Sequence, residues 1–303
     1  MRLGDFYNSD RVAVSLELFP PKTEEGMVDL FQNVSELMSF GPSFFTCTYG
    51  AGGSTRDKTL DIVERIHNEF FIHVAAHLTC VGATKEEIRA YLEDARRRHV
   101  DFIVALRGDP PQGEKRFVAV EGGFAHANEL VEFIRREFQE EFGIAVAGYP
   151  ETHQEAPNRA KDLEYLKMKV DAGADIVITQ LFYDNDDFYR FRDRCEAIGI
   201  KVPIIPGILP VTNLKQIQRI SSLCGCSLPP ELLSRLEVHA ENAQGQFDVG
   251  VYHATRQVED LVNRGGCHGI HFYCLNKSRA VATILRALTL PWKTVPHRGK
   301  PAN

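Results

Sequence analysis

Glu17 stands among Val12, Val14, Leu16, Leu18 and Phe19 in the run VAVSLELF (12–19). Burying a lone carboxylate is unfavourable unless it is paired or protonated. Taken alone, Glu17 leaves two readings: one half of a structural ion pair, with Arg107 as partner, or an acid whose proton is used in chemistry. A second group is LRGDPP (106–111). There Gly108 permits close approach, Arg107 can pair with a phosphate, and Asp109 supplies an acceptor beside it. The loop GAGGSTRD (50–57) resembles G-x-G-x-x-G, but Thr55 breaks the pattern, so it reads as a ligand-approach loop and not as a dinucleotide fingerprint. His77 lies in IHVAAHLTC (72–80), where a lone histidine is ordinarily a satisfied core residue. No Ser/His/Asp or Cys/His triad spacing occurs, and His and Asp are too scattered for a metal site. The seven cysteines include no C-x-x-C, which excludes the common zinc and iron–sulfur spacings.

Positioning these groups requires a scaffold, and the chain supplies a regular one. Eight short β-type runs fall at 12–19, 44–49, 72–80, 101–108, 144–150, 175–183, 202–209 and 269–275, each rich in β-branched or aromatic residues and bounded by Gly, Pro or charge. Amphipathic stretches separate them, at 24–40, 55–70, 84–99, 128–142, 158–172, 184–198 and 212–224. Thr84 with Glu87 predicts a capping box, and Thr212 or Asn213 a cap. The segment 229–264 is long enough for two helices, and 278–288 predicts a last one. Eight β-α pairs predict an α/β fold, a single (β/α)8 TIM barrel over residues 1–290, followed by a polar tail at 291–303. In such a barrel the site lies at the C-terminal strand ends. Those ends carry Glu17, Thr48 and Tyr49, His77 and Thr79, LRGDPP, GYPETH (148–153), Thr179 and Gln180, PGILP (206–210), and Tyr273 with Asn276 and Lys277 beyond. Polar groups gathered at one rim are what a site requires.

The bulk numbers agree. The chain has 303 residues, 44% apolar and 25% charged, with a net charge of −6. That excludes a basic nucleic-acid binder. No apolar leader or membrane-length run appears, and with this cysteine usage a reducing cytoplasm is expected.

The motifs VSLELFPPK, TCTYGAGGSTRD, AHLTC, VALRGDPP, YPETH, DLEYLKMKVDAGAD, ITQLFYD, IIPGILPVTN and HFYCLNKS together resemble methylenetetrahydrofolate reductase, in family order from residue 14 to 278. The resemblance implies a barrel holding non-covalent FAD, reduced by NADH or NADPH. Methylenetetrahydrofolate then takes the same face in a ping-pong reaction that yields 5-methyltetrahydrofolate for methionine synthesis. It implies Glu17 as general acid, its pKa raised by desolvation, and Asp109 as a tuner of the flavin and a pterin contact. Thr48, Tyr49, Ala51, His77, Arg107, Gly108, Asp109, Ala127, Tyr149, His153, Ala156, Asp162, Tyr165, Met168 and Lys169 are the expected flavin contacts. Gln180, Gln216 and Lys277 are expected to join Glu17 and Asp109 on the folate, Gln180 also meeting the nicotinamide. A homo-oligomer, dimer or tetramer, is implied, and the regulatory domain of larger members is expected to be absent. Two positions depart from the family pattern. Ile220 stands where a stacking Phe is usual, and Lys277 where some members have Arg, which replaces a bidentate clamp by a point charge.

Three other readings compete. A cofactor-free aldolase or lyase would need a Schiff-base Lys or metal ligands on the strand ends, which the strands lack. A binding protein without turnover gains nothing from a buried acid. A reductase fed by a partner protein would leave its flavin untouched by NADH and NADPH.

Overall fold

The computed structural model describes residues 3–8, 11–48, 56–110 and 117–290. After a 3-10 turn at Leu3–Tyr7 the chain alternates strands and helices: β1 (Ala13–Leu18), α1 (Glu24–Met38), β2 (Phe44–Cys47), α2 (Arg56–Phe70), β3 (His73–Thr79), α3 (Lys85–Arg97), β4 (Phe102–Leu106) and α4 (Ala127–Phe138). It continues with β5 (Gly143–Gly148), α5 (Arg159–Asp171), β6 (Ile176–Thr179), α6 (Asn185–Ala197), β7 (Ile204–Ile205) and β8 (Gly207–Ile208). Three consecutive helices, α7 (Leu214–Cys224), α8 (Pro230–Val238) and α9 (Ala243–Asn263), precede β9 (Gly269–Tyr273) and α10 (Ser278–Ala287).

The strands pair in parallel in the order β7-β6-β5-β4-β3-β2-β1-β9-β8. The two ends of that row, β7 and β8, are consecutive in the chain, so the sheet closes on itself as the predicted (β/α)8 barrel. The unbroken strand expected at 202–209 is corrected: it is two short pieces, β7 pairing with β6 and β8 with β9. The cause is Pro206, which has no N–H for a ladder. Gly207 beside it turns its own N–H to Thr179 Oγ1 at 2.9 Å. A Cβ at Gly207 would lie 2.2 Å from Thr179 O, so only glycine fits the bend.

Strand alternation sorts side chains into two layers. Leu16 and Leu18, Phe45 and Cys47, Val74, Ala76 and Leu78 face the helices in the main core. Ala13, Phe44, Ala75, Phe102, Ala145 and Ile176 face inward with Leu3 and Phe6. The Phe6 ring lies 5.8 Å from both Phe44 and Phe102 and 5.5 Å from His73. Apolar packing therefore fills the barrel at its N-terminal end. Polar residues enter the inward register higher up, at Ser15 and Glu17 of β1, His77 and Thr79 of β3, and His271 of β9.

The helices begin where the sequence signals them. Thr23, Asn158, Asp184, Asn213 and Asn242 each accept a backbone N–H as N-caps, and Thr84 with Glu87 forms the capping box. Each such cap stabilises its helix by about 1 kcal/mol. Among the described residues no helix is long and apolar enough to cross a membrane.

Candidate active site

A cavity of about 810 Å³ opens at the C-terminal ends of the strands. That is the size range of a cofactor or small-ligand site. At its floor is Glu17, whose side chain is 21% exposed, reachable from the cavity and otherwise enclosed. His77 Nε2 is 3.4 Å and His271 Nε2 3.5 Å from Glu17 Oε2. Both imidazole nitrogens are buried and form no hydrogen bond among the described residues, so the contacts to Glu17 are close without being formed bonds. His271 is fixed from behind by Ser15, Oγ to Nδ1 at 2.8 Å.

Two sequence expectations about Glu17 are overturned here. Arg107 is not its partner: the Arg107 guanidinium pairs with Glu155, Nη1 to Oε2 at 2.6 Å, and covers the Phe117 ring. Nor does this enclosure raise the carboxyl on balance. Desolvation is the largest single influence and pushes it up, but His271 and the neighbouring charge of His77 together pull it below the usual carboxylate range. The sequence could show the apolar run around Glu17 but not the two imidazoles that fold in from β3 and β9.

Above the floor, the wall is built from strand ends and α5. Thr48, His77, Arg107, Gly108, Asp109, Ala127, Tyr149, His153, Ala156, Asp162, Tyr165, Met168, Lys169 and Gln180, all named from the sequence, line the cavity with Glu17. Tyr49 and Ala51 lie outside the described residues. Gln216 and Lys277 are not brought to the wall. Both are exposed, Gln216 one turn before Ile220, which does line the cavity, and Lys277 at the start of α10. Thr79, His126, Glu155, Cys224 and Tyr273 also line it. Thr79 and Tyr273 sit at strand ends, where the barrel rule points. His271, fully buried beneath Glu17, went unnamed. Its signal was the alternation of β9, which puts it on the same face as Tyr273.

The electrostatics change along the cavity. At the α5 end, Lys169 Nζ donates to Ala147 O at 2.5 Å. Enclosure of the ammonium lowers its pKa to about 8 against a partly offsetting pull from Asp162. Burial also raises Asp162, whose Oδ2 accepts the His153 N–H at 3.1 Å. Tyr149 meets the His153 ring edge-on at 4.6 Å. Tyr165 and Met168, one turn apart, remain about half exposed on the rim, an apolar ledge for a planar ligand.

Three observations fit a flavin dinucleotide. His77 Nε2 is a buried polar atom at the cavity wall that makes no hydrogen bond among the described residues. Gly108 has φ +89°, and a Cβ there would come 2.9 Å from Thr79 Cβ and Val81 Cγ1, so only glycine fits the turn that carries Arg107 and Asp109 on the cavity wall. Arg107 offers a cation whose partner Glu155 is 47% exposed and displaceable.

The family model described as methylenetetrahydrofolate reductase matches residues 2–289. The chain is 42% identical over 312 residues to "Methylenetetrahydrofolate reductase (NADH) 1" of Arabidopsis thaliana, covering 97% of this chain and 52% of that protein. It is 37% identical over 278 residues to "5,10-methylenetetrahydrofolate reductase" of Escherichia coli (strain K12), covering 92% and 91%. It thus spans about half the length of the plant relative and nine-tenths of the bacterial one. Among solved structures, a Clostridium thermocellum protein that "binds two copies of 5-methyl-5,6,7,8-tetrahydrofolic acid" superposes with a TM-score of 0.60 at 15% identity, over 92% of this chain and 94% of that one. This likeness bears on the barrel alone. With the family model matched from residue 2 to 289 and a bacterial relative matched along nearly all of its length, the chain belongs to the methylenetetrahydrofolate reductase family.

Proposed function

We propose that this chain reduces 5,10-methylenetetrahydrofolate to 5-methyltetrahydrofolate, with NADH or NADPH as electron source and FAD as carrier. The observation that carries the reading is Glu17, an acid at the floor of a cavity otherwise suited to a planar cofactor, held between two imidazoles. The names of the plant relatives favour NADH.

Thr48, His77, Arg107, Gly108, Tyr149, His153, Ala156, Asp162, Tyr165, Met168 and Lys169 would hold the FAD, Ala127 adding a contact. A flavin bound there would supply two-electron transfer between nicotinamide and folate. The chain's own task is the proton. The folate's five-membered ring must open before its methylene carbon can be reduced, and the departing nitrogen needs protonation. Glu17 delivers it. Desolvation is the largest single influence on it, outweighed by the two imidazoles together, and a planar ligand over the floor increases it. A ligand that engages His77 Nε2 also weakens the imidazole pull. Both changes raise the carboxyl toward the protonated form. Asp109, exposed at the mouth, places negative charge where it tunes the cofactor. Gln180 spends its Oε1 on Leu181 N at 2.9 Å, so its NH2 end is offered to a pterin or nicotinamide. Gln216 and Lys277 are proposed to meet the outer part of the folate beyond the cavity mouth.

The test is the visible spectrum of the purified protein before and after anaerobic NADH. A yellow protein that bleaches, then regains colour with methylenetetrahydrofolate, is the expected outcome. A flavin band untouched by NADH and NADPH would point to a protein electron donor. A colourless protein unable to take up FAD would remove the reading.

A further inference from the structure

Glu17 is held through its main chain as well as by histidines, and two side chains that hold that main chain, Cys274 and Asn276, follow directly on β9. Cys274 Sγ donates to Glu17 O at 2.8 Å. Asn276 binds both sides of the peptide backbone two residues on: its Oδ1 accepts the Phe19 N–H at 2.9 Å, and its Nδ2 donates to Phe19 O at 2.7 Å. A primary amide bonded to N–H and C=O of one residue acts as a two-pronged clip and fixes position along the strand as well as distance. Presenting it requires an unusual backbone. Leu275 and Asn276 have φ of +50° and +55°, two consecutive non-glycine residues in the left-handed region. Asn tolerates that region and Leu does not. Such strain persists where the surroundings over-determine it, and characteristically at functional sites. Phe19 itself is 41% exposed, so its own side chain does little to anchor the backbone just past β1.

We propose that Asn276 is a positioning residue for the acid: its side-chain amide clips the backbone after β1 and so sets Glu17 against His77 and His271 at the cavity floor. The inference rests on the proposed folate chemistry. Asn276 touches no ligand in this scheme and acts through Glu17. A misplacement of about 1 Å at a reacting group can lower a rate about a hundredfold, so the effect should fall on the step that uses the proton and spare the step that does not.

The experiment compares the wild type with Asn276→Ala, Asn276→Asp and Asn276→Gly in anaerobic half-reactions. Alongside these, the imidazole 15N signals of His77 are followed over pH in the same proteins. Asn276→Gly serves as the folding control, because glycine relieves the φ of +55° while removing the amide. Reduction of the flavin by NADH should stay within about twofold of wild type in all three. Re-oxidation by methylenetetrahydrofolate should fall at least about tenfold in Ala and Gly. It should also fall in Asp, which puts a carboxylate oxygen against Phe19 O. The His77 titration should shift in the same variants, since the Glu17 charge that pulls it upward is displaced. A folded Asn276→Gly with wild-type re-oxidation and an unmoved His77 titration would overturn the proposal. Equal losses in both half-reactions with an unmoved titration would make Asn276 merely structural, and so would also overturn it. A wild type that never transfers electrons to folate would defeat the functional reading instead, while the His77 titration would still report on the clip.

Discussion

Lys169 offers a test in which stability and function should move in opposite directions. Its Nζ is enclosed at the α5 end of the cavity with Ala147 O as hydrogen-bond acceptor and Asp162 nearby. Burial lowers its pKa from 10.5 to about 8. At about 1.4 kcal/mol per tenfold, the charged form costs the fold about 3 kcal/mol at pH 7. Lys169→Met removes that cost and forfeits a hydrogen bond worth about 1 kcal/mol, which leaves a net gain of about 2 kcal/mol. The gain has a pH signature. Between pH 8 and 10.5 the unfolded chain holds a proton that the folded lysine has lost, so wild-type stability rises relative to the variant through that window. The seven thiols titrate nearby with the opposite sign, because burial raises cysteines such as Cys80 and Cys267 to about 12. The difference between variant and wild type cancels them. Urea melts of both apoproteins at intervals from pH 7 to 10.5 should show the variant's advantage shrinking as pH rises. FAD affinity, read by flavin fluorescence, should be weaker in the variant. A constant difference across that range, or a less stable variant at pH 7, would refute the claim that the enclosed ammonium destabilises the fold.

Glu17→Gln should retain flavin reduction by NADH and lose re-oxidation by methylenetetrahydrofolate; a variant that still turns over folate well removes Glu17 as the proton donor. Glu155→Gln frees Arg107 from a half-exposed pair, so FAD should bind about two- to fivefold tighter, given the modest worth of such pairs; weaker binding would mean that Glu155 orients Arg107 for the ligand instead. Gly108→Ala forces a side chain into φ +89° and into Thr79 and Val81, and should destabilise the fold by about 2–4 kcal/mol in urea melts; a neutral result would show that this loop adjusts freely.

What could be read from the chain follows what each element depends on. Alternating runs and caps such as Thr84 are local, and the barrel is visible in them. The rim residues are legible because a parallel barrel delivers all its strand ends to one face, so Arg107, Tyr149 and Gln180 meet although far apart in sequence. The state of Glu17 is not local. It depends on His77 and His271 arriving from other strands, and nothing in SLELFPPK announces imidazoles. His271 hides in HFY because an inward polar residue on a strand reads like an outward one. The break at Pro206 was written in the sequence, but PIIPGIL reads equally as a strand start or a bend until Gly207 is seen against Thr179. Arg107 and Glu155 are 48 residues apart, and no spacing rule joins them.

The clip between Phe19 and Asn276 spans 257 residues of sequence, and the contact between Ser15 and His271 spans 256. During synthesis the acid emerges long before the strand that secures it. Until β9 inserts between β1 and β8, Glu17 faces an unclosed edge, and Ser15 has no imidazole to hold. A ribosome-bound or prematurely terminated chain therefore carries the acid without its setting, however much of the barrel has already formed. Contacts of such long range also form late and slowly. On the proposed chemistry, activity is a report on closure: a molecule whose Glu17 is set for proton delivery is one whose last strand has found its first.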